Sequence, residues 1–165
     1  FLHCDAEPEL IEWSDFNDYT IFKGTHTGYM RLQPSVKPIR TILLDKTYSA
    51  FVIHDEFTSS SNHSVKIPLH FDVGINIKML NENSVLLEHK TKHFILEWEG
   101  SKNWDVTDSF YEPSKSYGVK EKSVRLCWHS KNGCKEPLTI YVYPKNSNLE
   151  NCRLKLKSRL HKHIQ

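Results

Sequence analysis

The feature that most constrains this chain is a succession of short apolar runs, four to eight residues each, rich in β-branched and aromatic residues and separated by polar turn residues. Tyr29–Leu32, Arg40–Leu44 and Tyr48–Ile53 come first, each bounded by Pro, Asp, Lys or Ser. Runs of that length and composition read as strands. Asp45-Lys46-Thr47 is long enough to reverse direction between two of them. Val65–Phe71, Ile75–Met79, Val85–His89 and His93–Glu99 follow, broken by Asp72-Val73-Gly74, Asn81–Ser84 and Lys90-Thr91-Lys92, which is the pattern of a meander. In His93–Glu99 the alternation sets Phe94, Leu96 and Trp98 apart from Ile95, Glu97 and Glu99, so one face is wetter than the other. Val124–Trp128 and Leu138–Tyr143 flank an Asn132-Gly133 pair that tolerates positive φ, and are expected to form a hairpin. The strict alternation of Cys152–Lys157 predicts a charge-protected edge strand. About ten strands without a convincing helix predict an all-β, antiparallel two-sheet sandwich over 1–144, with 145–165 as a basic edge strand and tail. The stretches 58–64 and 100–118 read as loops, and Pro144 closes the regular core near Tyr143.

Composition sets outer limits. At 165 residues, 38% hydrophobic and 12% aromatic, the chain supports one domain with a real core. Its formal charge is only +2, so no global field recruits nucleic acid or a membrane surface. No apolar run of about 18 residues is present to span a bilayer. The start, Phe1 to Glu7, lacks the basic and apolar regions of a signal peptide, so any export signal is expected upstream or not at all. Four cysteines, Cys4, Cys127, Cys134 and Cys152, permit two bridges without demanding them; free thiols and a Cys127–Cys134 bridge both remain open. Asn62-His63-Ser64 is a glycosylation-type triplet in a Ser-rich loop.

Three segments, in order, resemble the C-terminal β-sandwich of the heparinase II/III-like polysaccharide lyases. Gly24–Leu32, containing His26-Thr27-Gly28-Tyr29, is similar to that family's His-x-Gly-Tyr strand pair, and Arg40–Leu44 resembles its Arg-led strand. Tyr48–Asp55 and Leu69-His70-Phe71 resemble its next strands. Tyr111–Val119, with Tyr117-Gly118, resembles its Ser-Pro-x-Tyr-Gly loop, followed by Arg125–Trp128 and Pro137–Ile140. The loop is longer here than the family's compact form, and Val36–Ile39 lacks the His that often precedes the strand's Arg. The resemblance covers about residues 12–144 and implies a supersandwich-like support for an upstream helical toroid. In that family β-elimination on a uronate-containing acidic polysaccharide takes place mostly on toroid residues. The family's upstream His-x-His-x-Asp, Asp-x-Gly and His-Asn-Thr segments are not found in this chain. The resemblance therefore implies a fragment that is inactive alone, a periplasmic or secreted parent, and any zinc or other divalent metal held upstream, with none in this chain.

Candidate contacts follow in descending order. His26, Tyr29, Arg40 and Tyr117 are the substrate-binding candidates; no catalytic residue and no metal ligand is assigned. His26 sits beside Gly28 where a backbone approaches a ligand, or else is a strand residue at a sheet edge. Arg40, Arg31 and Arg125 offer planar forks suited to uronates, or are surface strand arginines. Trp98, Trp104, Tyr111 and Tyr117 either stack on sugar rings or pack in the core; the Tyr117 ring is expected to anchor its loop on the sheet, with Gly118 making the turn. His54 beside Asp55 has the elements of an oriented base, although neighbouring strand residues face opposite ways. His89 and His93 have the spacing of a helical zinc pair, but Lys90-Thr91-Lys92 between them reads as a turn. The basic tail, Arg153–Lys162, is a solvated end or a contact for an acidic polysaccharide. Outside the lyase reading, a secreted carbohydrate- or protein-binding module and a purely structural domain remain as alternatives.

Overall fold

In a computed structural model the chain is described over residues 6–58, 63–100, 102–114, 116–131, 133, 136–145 and 148–164. Cys4, Cys134, Asn62 and Asn132 lie outside the described residues, and with them the Cys127–Cys134 bridge and the glycosylation triplet.

Eleven strands and one helix follow in chain order: β1 (Pro8–Asp15), β2 (Tyr19–His26), β3 (Pro38–Asp45), β4 (Ala50–Phe57), β5 (Lys66–His70), β6 (Asn76–Asn81), β7 (Ser84–His89), β8 (Lys92–Glu99), β9 (Trp104–Tyr111), β10 (Ser123–Ser130), β11 (Leu138–Pro144) and α1 (Leu149–His161). An eight-stranded sheet runs β1-β2-β3-β4-β11-β8-β7-β6, and a three-stranded sheet runs β5-β10-β9. Every pairing is antiparallel. The fold is an all-β sandwich with one helix on the outer face of the large sheet.

Two apolar layers follow from strand alternation. Along β11, Leu138, Ile140 and Val142 point toward the small sheet and meet Trp98, Leu126 and Trp128. Tyr141 and Tyr143 point the other way, where Ile21, Leu43 and Val52 meet Cys152, Leu156 and Leu160 of α1. With apolar residues on both faces, β11 belongs in the middle of a sheet. It lies between β4 and β8, with Ile140 opposite Ile53 on one side and Trp98 on the other.

That placement corrects the expected hairpin. β10 and β11 lie in different sheets, since β10 pairs with β5 and β9. β10 buries Leu126 and Trp128 but turns Arg125, Cys127 and His129 outward, as a covering sheet requires. Gly133 does take positive φ, +71°, although the connection it serves crosses between sheets.

Four other expectations also change. Cys152–Lys157 is part of helix α1 and not an edge strand. Leu154 and Leu156 fit a two-residue period locally, but Cys152, Leu156 and Leu160 recur every four residues over the longer window, which is the helical spacing. The core consequently continues past Tyr143. Tyr29–Leu32 forms turns, with the Met30 and Leu32 amides donating to the Thr27 and Tyr29 carbonyls at 2.9 and 3.2 Å. The strand lies earlier, in β2, where Thr20, Phe22, Gly24 and His26 share one face. Finally, the stretch read as a loop over 100–118 contains β9, where Asp105, Thr107 and Ser109 share the outer face while Trp104 packs inside.

α1 is fixed by charge as well as by apolar packing. Arg159 pairs with Asp45 and Asp18, Arg153 with Glu97, and Lys157 with Glu99. Each sheet carboxylate has a further donor: Tyr143 Oη donates to Glu97 at 2.7 Å, Tyr141 Oη to Glu99 at 3.1 Å, and the Thr47 and Tyr48 amides to Asp45 Oδ1 at 2.8 and 2.9 Å. Burial beside these carboxylates raises both tyrosine pKa values. Burial likewise pushes the Cys152 thiol up to about 11, so it is neutral and unreactive in the core.

Candidate functional site

A cavity of about 820 Å³ lies between the β2–β4 part of the large sheet and the segment containing β5. Its position follows from the sheet sizes. Three strands do not cover eight, and at the end nearer β1 the two layers leave a gap. Phe22, Phe57, Leu32, Val36 and Ile67 form apolar walls, and His26, Tyr29, Arg40, Asp55 and Lys66 supply polar groups. Three of the four sequence candidates therefore converge here.

Register explains the convergence. Gly24 of β2 lies opposite Arg40 of β3, and Arg40 lies opposite Asp55 of β4, so the three form one row across the face. Arg40 Nε and Nη2 donate to Asp55 Oδ1 and Oδ2 at 2.6 and 2.8 Å, a two-point fork. Hydrogen bonding to that carboxylate raises the guanidinium's pKa further, so Arg40 is always cationic. His26 lies on the same face one row away. Its Nδ1 accepts the Gly28 amide at 3.1 Å, and its ring meets Tyr29 edge-on with centroids 5.2 Å apart. Arg31 Nη1 donates to the Gly28 carbonyl and ties the same turn, which assigns it a supporting role.

Gly24 makes room for the Phe22 ring in this row. A Cβ there would come within 2.6 Å of Phe22 Cζ, because the Phe22 ring lies over the missing side chain. The sequence pattern of β2 carried this signal, since a glycine in a strand interior often marks close approach. Phe22, Phe57 and Lys66 line the cavity without having been sequence candidates, since an aromatic or a lysine in a strand carries no local sign of facing a cavity.

The other candidates lie elsewhere. Tyr117 is fully exposed, and it neither packs on the sheet nor lines the cavity. Its loop turns on a Ser116–Val119 bridge and Gly118 at φ +77°, so the glycine does the expected work without an aromatic anchor. Trp98 and Trp104 are core residues, and Tyr111 Oη donates to the Phe71 carbonyl at 2.5 Å. Arg125 Nε donates to Ser109 Oγ at 2.9 Å on the outer face of the small sheet. His54 points away from Asp55 into the layer near α1, where its Nδ1 lies 2.9 Å from Thr139 Oγ1. Desolvation lowers its pKa, so the ring is neutral. His89 and His93 flank the β7–β8 turn, and His93 Nε2 lies 3.7 Å from Glu88. Among the described residues no three His, Cys, Asp or Glu side chains converge to hold a metal ion. The same residues contain no helix long and apolar enough to cross a membrane.

The arrangement is an antiparallel two-sheet sandwich with a concave cavity in which a few polar groups converge between apolar walls. Residues 5–154 match the family described as heparinase II/III-like, C-terminal, and the chain belongs to that family. Among solved structures, a heparinase III gene product superposes with TM-score 0.71 at 18% identity, covering 84% of this chain and 21% of that one. Heparan sulfate lyase HepC from Pedobacter heparinus gives 0.71 at 12% identity, with 84% and 22% covered. A further heparinase III gives 0.68 at 11%. This chain thus spans about one fifth of the length of these enzymes, and at such identities the likeness is one of fold. No curated protein matches the chain.

Proposed function

We propose that this chain is the C-terminal β-sandwich of a longer polysaccharide lyase acting by β-elimination on a uronate-containing acidic polysaccharide, and that it contacts the glycan through His26, Tyr29 and Arg40. The observation that carries the reading is the convergence of these three residues in one cavity of a chain that belongs to the heparinase II/III-like C-terminal family. The aromatic walls suit pyranose faces, and the Arg fork suits carboxylates.

In this reading the proton-abstracting and proton-donating groups belong to an upstream helical toroid, and the sandwich supports it. The face beside the cavity has the character of such a contact. Leu10 and Trp13 of β1 lie opposite Gly24 and Phe22, and both are largely exposed, as is Leu44 further along the face. Trp13 meets Phe22 edge-on at 6.4 Å, which joins this apolar strip to the cavity wall. In the same reading any divalent metal of the parent is held by upstream segments. A periplasmic or secreted location goes with an extracellular polymer as substrate.

Affinity electrophoresis in gels containing an unsulfated uronate polymer or a neutral dextran tests the binding part. Retardation by the acidic polymer alone is expected, and equal mobility in both gels would overturn it. For the catalytic part, the isolated chain is expected to produce no rise in the ultraviolet absorbance of unsaturated uronate. A sustained rise abolished by a substitution within this chain would place the chemistry here instead.

A further inference from the structure

We infer that Arg40, held in plane by Asp55, is a receptor for a single uronate carboxylate, with His26 Nε2–H as the second donor and the Phe22 ring, seated over Gly24, as the apolar surface beside them. This rests on the reading that the cavity takes an acidic glycan.

The Arg40–Asp55 pair is asymmetric. The Asp55 side chain is 8% exposed, whereas that of Arg40 is 47% exposed. The acid therefore lies beneath, and the cation presents its outer edge to the cavity it lines. A guanidinium carries five N–H donors. Asp55 takes two, and among the described residues no acceptor takes the others. The two-point contact fixes the plane of the fork before any ligand arrives, so little side-chain freedom is lost on binding.

Charge balance narrows the ligand. Asp55 neutralises Arg40, so the pair is a poor sink for negative charge in general. It recognises through directed hydrogen bonds, which favours a planar, two-oxygen anion aligned with the fork. His26 adds a donor in a fixed orientation. Its Nδ1 accepts the Gly28 amide, so the neutral ring carries its proton on Nε2. His26 lies diagonally across β2–β3 from Arg40, a separation of roughly 7–8 Å between backbones. Long and aromatic side chains on such a diagonal are within reach of one another. Gly24, directly across from Arg40, leaves room for the Phe22 ring to lie over it. Phe22 and Tyr29 line the cavity as apolar faces for the ring that carries the carboxylate.

The test is an NMR titration of the chain, following the Arg40 Nε–H signal, with three probes: an unsulfated glucuronate-containing tetrasaccharide, its methyl ester, and a carboxyl-reduced sulfated tetrasaccharide. The expected result is a saturable shift with the first probe and none with the other two. Arg40→Lys, which keeps the charge and loses the fork, should weaken binding of the first probe about tenfold, the scale of one charge-assisted hydrogen bond. Asp55→Asn should make binding more salt-dependent and erase the preference for carboxylate over sulfate, a change that mere loss of fold would not produce. If the tetrasaccharide and its ester bind equally well, or Arg40→Lys binds like the wild type, the receptor assignment falls while glycan binding stands. An Arg40-dependent response to the sulfated probe alone overturns the carboxylate in favour of a sulfate. If no acidic oligosaccharide binds, both this assignment and the glycan contact proposed for the cavity fail. The ester arm uses wild-type protein and does not depend on any variant folding.

Discussion

Two Arg–Asp pairs sit on opposite faces of the large sheet, and both involve β3. Arg159–Asp45, under the helix, is closed: the side chains are 5% and 0% exposed, and the backbone amides of Thr47 and Tyr48 complete the carboxylate. Arg40–Asp55, in the cavity, is open on the cation's side. The same chemistry serves different ends according to what covers it. A pair buried on both sides is out of a ligand's reach, and breaking it strands a buried charge. A pair with its outer edge free contributes little to stability and keeps donors available.

The largest effect expected is from Asp45→Ala, which removes the buried partner of Arg159 and leaves it only the half-exposed Asp18. Urea denaturation should show a loss of about 3–5 kcal/mol. A loss below about 1 kcal/mol would mean that water reaches Arg159 and that the closed pair is not closed. Leu156→Ala should cost about 3 kcal/mol by creating a cavity in the same layer. If it costs as much as Asp45→Ala, apolar packing and ion pairing hold the helix equally.

A smaller effect concerns pH. Burial lowers the folded-state pKa of His54 below its ordinary value near 6.5, so the unfolded chain takes up the proton first. The stability contributed by the neutral ring is complete above about pH 6.5 and declines as pH falls through the folded pKa. Denaturation midpoints measured from pH 7.5 to 5 should fall for the wild type and fall less for His54→Gln. Equal slopes would assign the acid sensitivity to another group.

In the cavity, Arg40→Lys should change stability by less than about 1 kcal/mol, because the pair is half open. A loss approaching that of Asp45→Ala would erase the contrast between the two faces. The smallest effect is expected from Tyr117→Ala, within about 0.5 kcal/mol, since the ring is fully exposed. A clear loss of stability in a thermal melt would show that the ring is buried in solution.

Legibility in the sequence varied with the range of the interaction. β3, β4, β7 and β8 were visible because their alternation and turns are local, and the hairpins joining them need only adjacent residues. β10 and β11 were visible as strands but not as members of different sheets, because β11's partners lie roughly 40 to 90 residues away in β8 and β4. α1 was hidden by a six-residue window in which Leu154 and Leu156 imitate a strand. In the site, His26, Tyr29 and Arg40 were legible as residues with the right chemistry. Asp55 was considered only beside His54, its chain neighbour, whereas its partner is Arg40 across the ladder. Tyr117 was misjudged for the same reason: a large aromatic next to glycine carries no local sign of whether anything lies beneath it.

The central place of β11 also bears on the order of folding. Residues 138–144 must enter between two meanders that are complete in sequence long before them, β1–β4 and β6–β8. Until then β4 and β8 each present an unpaired backbone edge, a surface prone to association with other chains. The pairing that closes the sheet joins distant segments and is expected to be slow. Asp55 on β4 and Glu97 and Glu99 on β8 place carboxylates along the two strands whose edges β11 covers, the kind of charge that discourages edge-to-edge pairing.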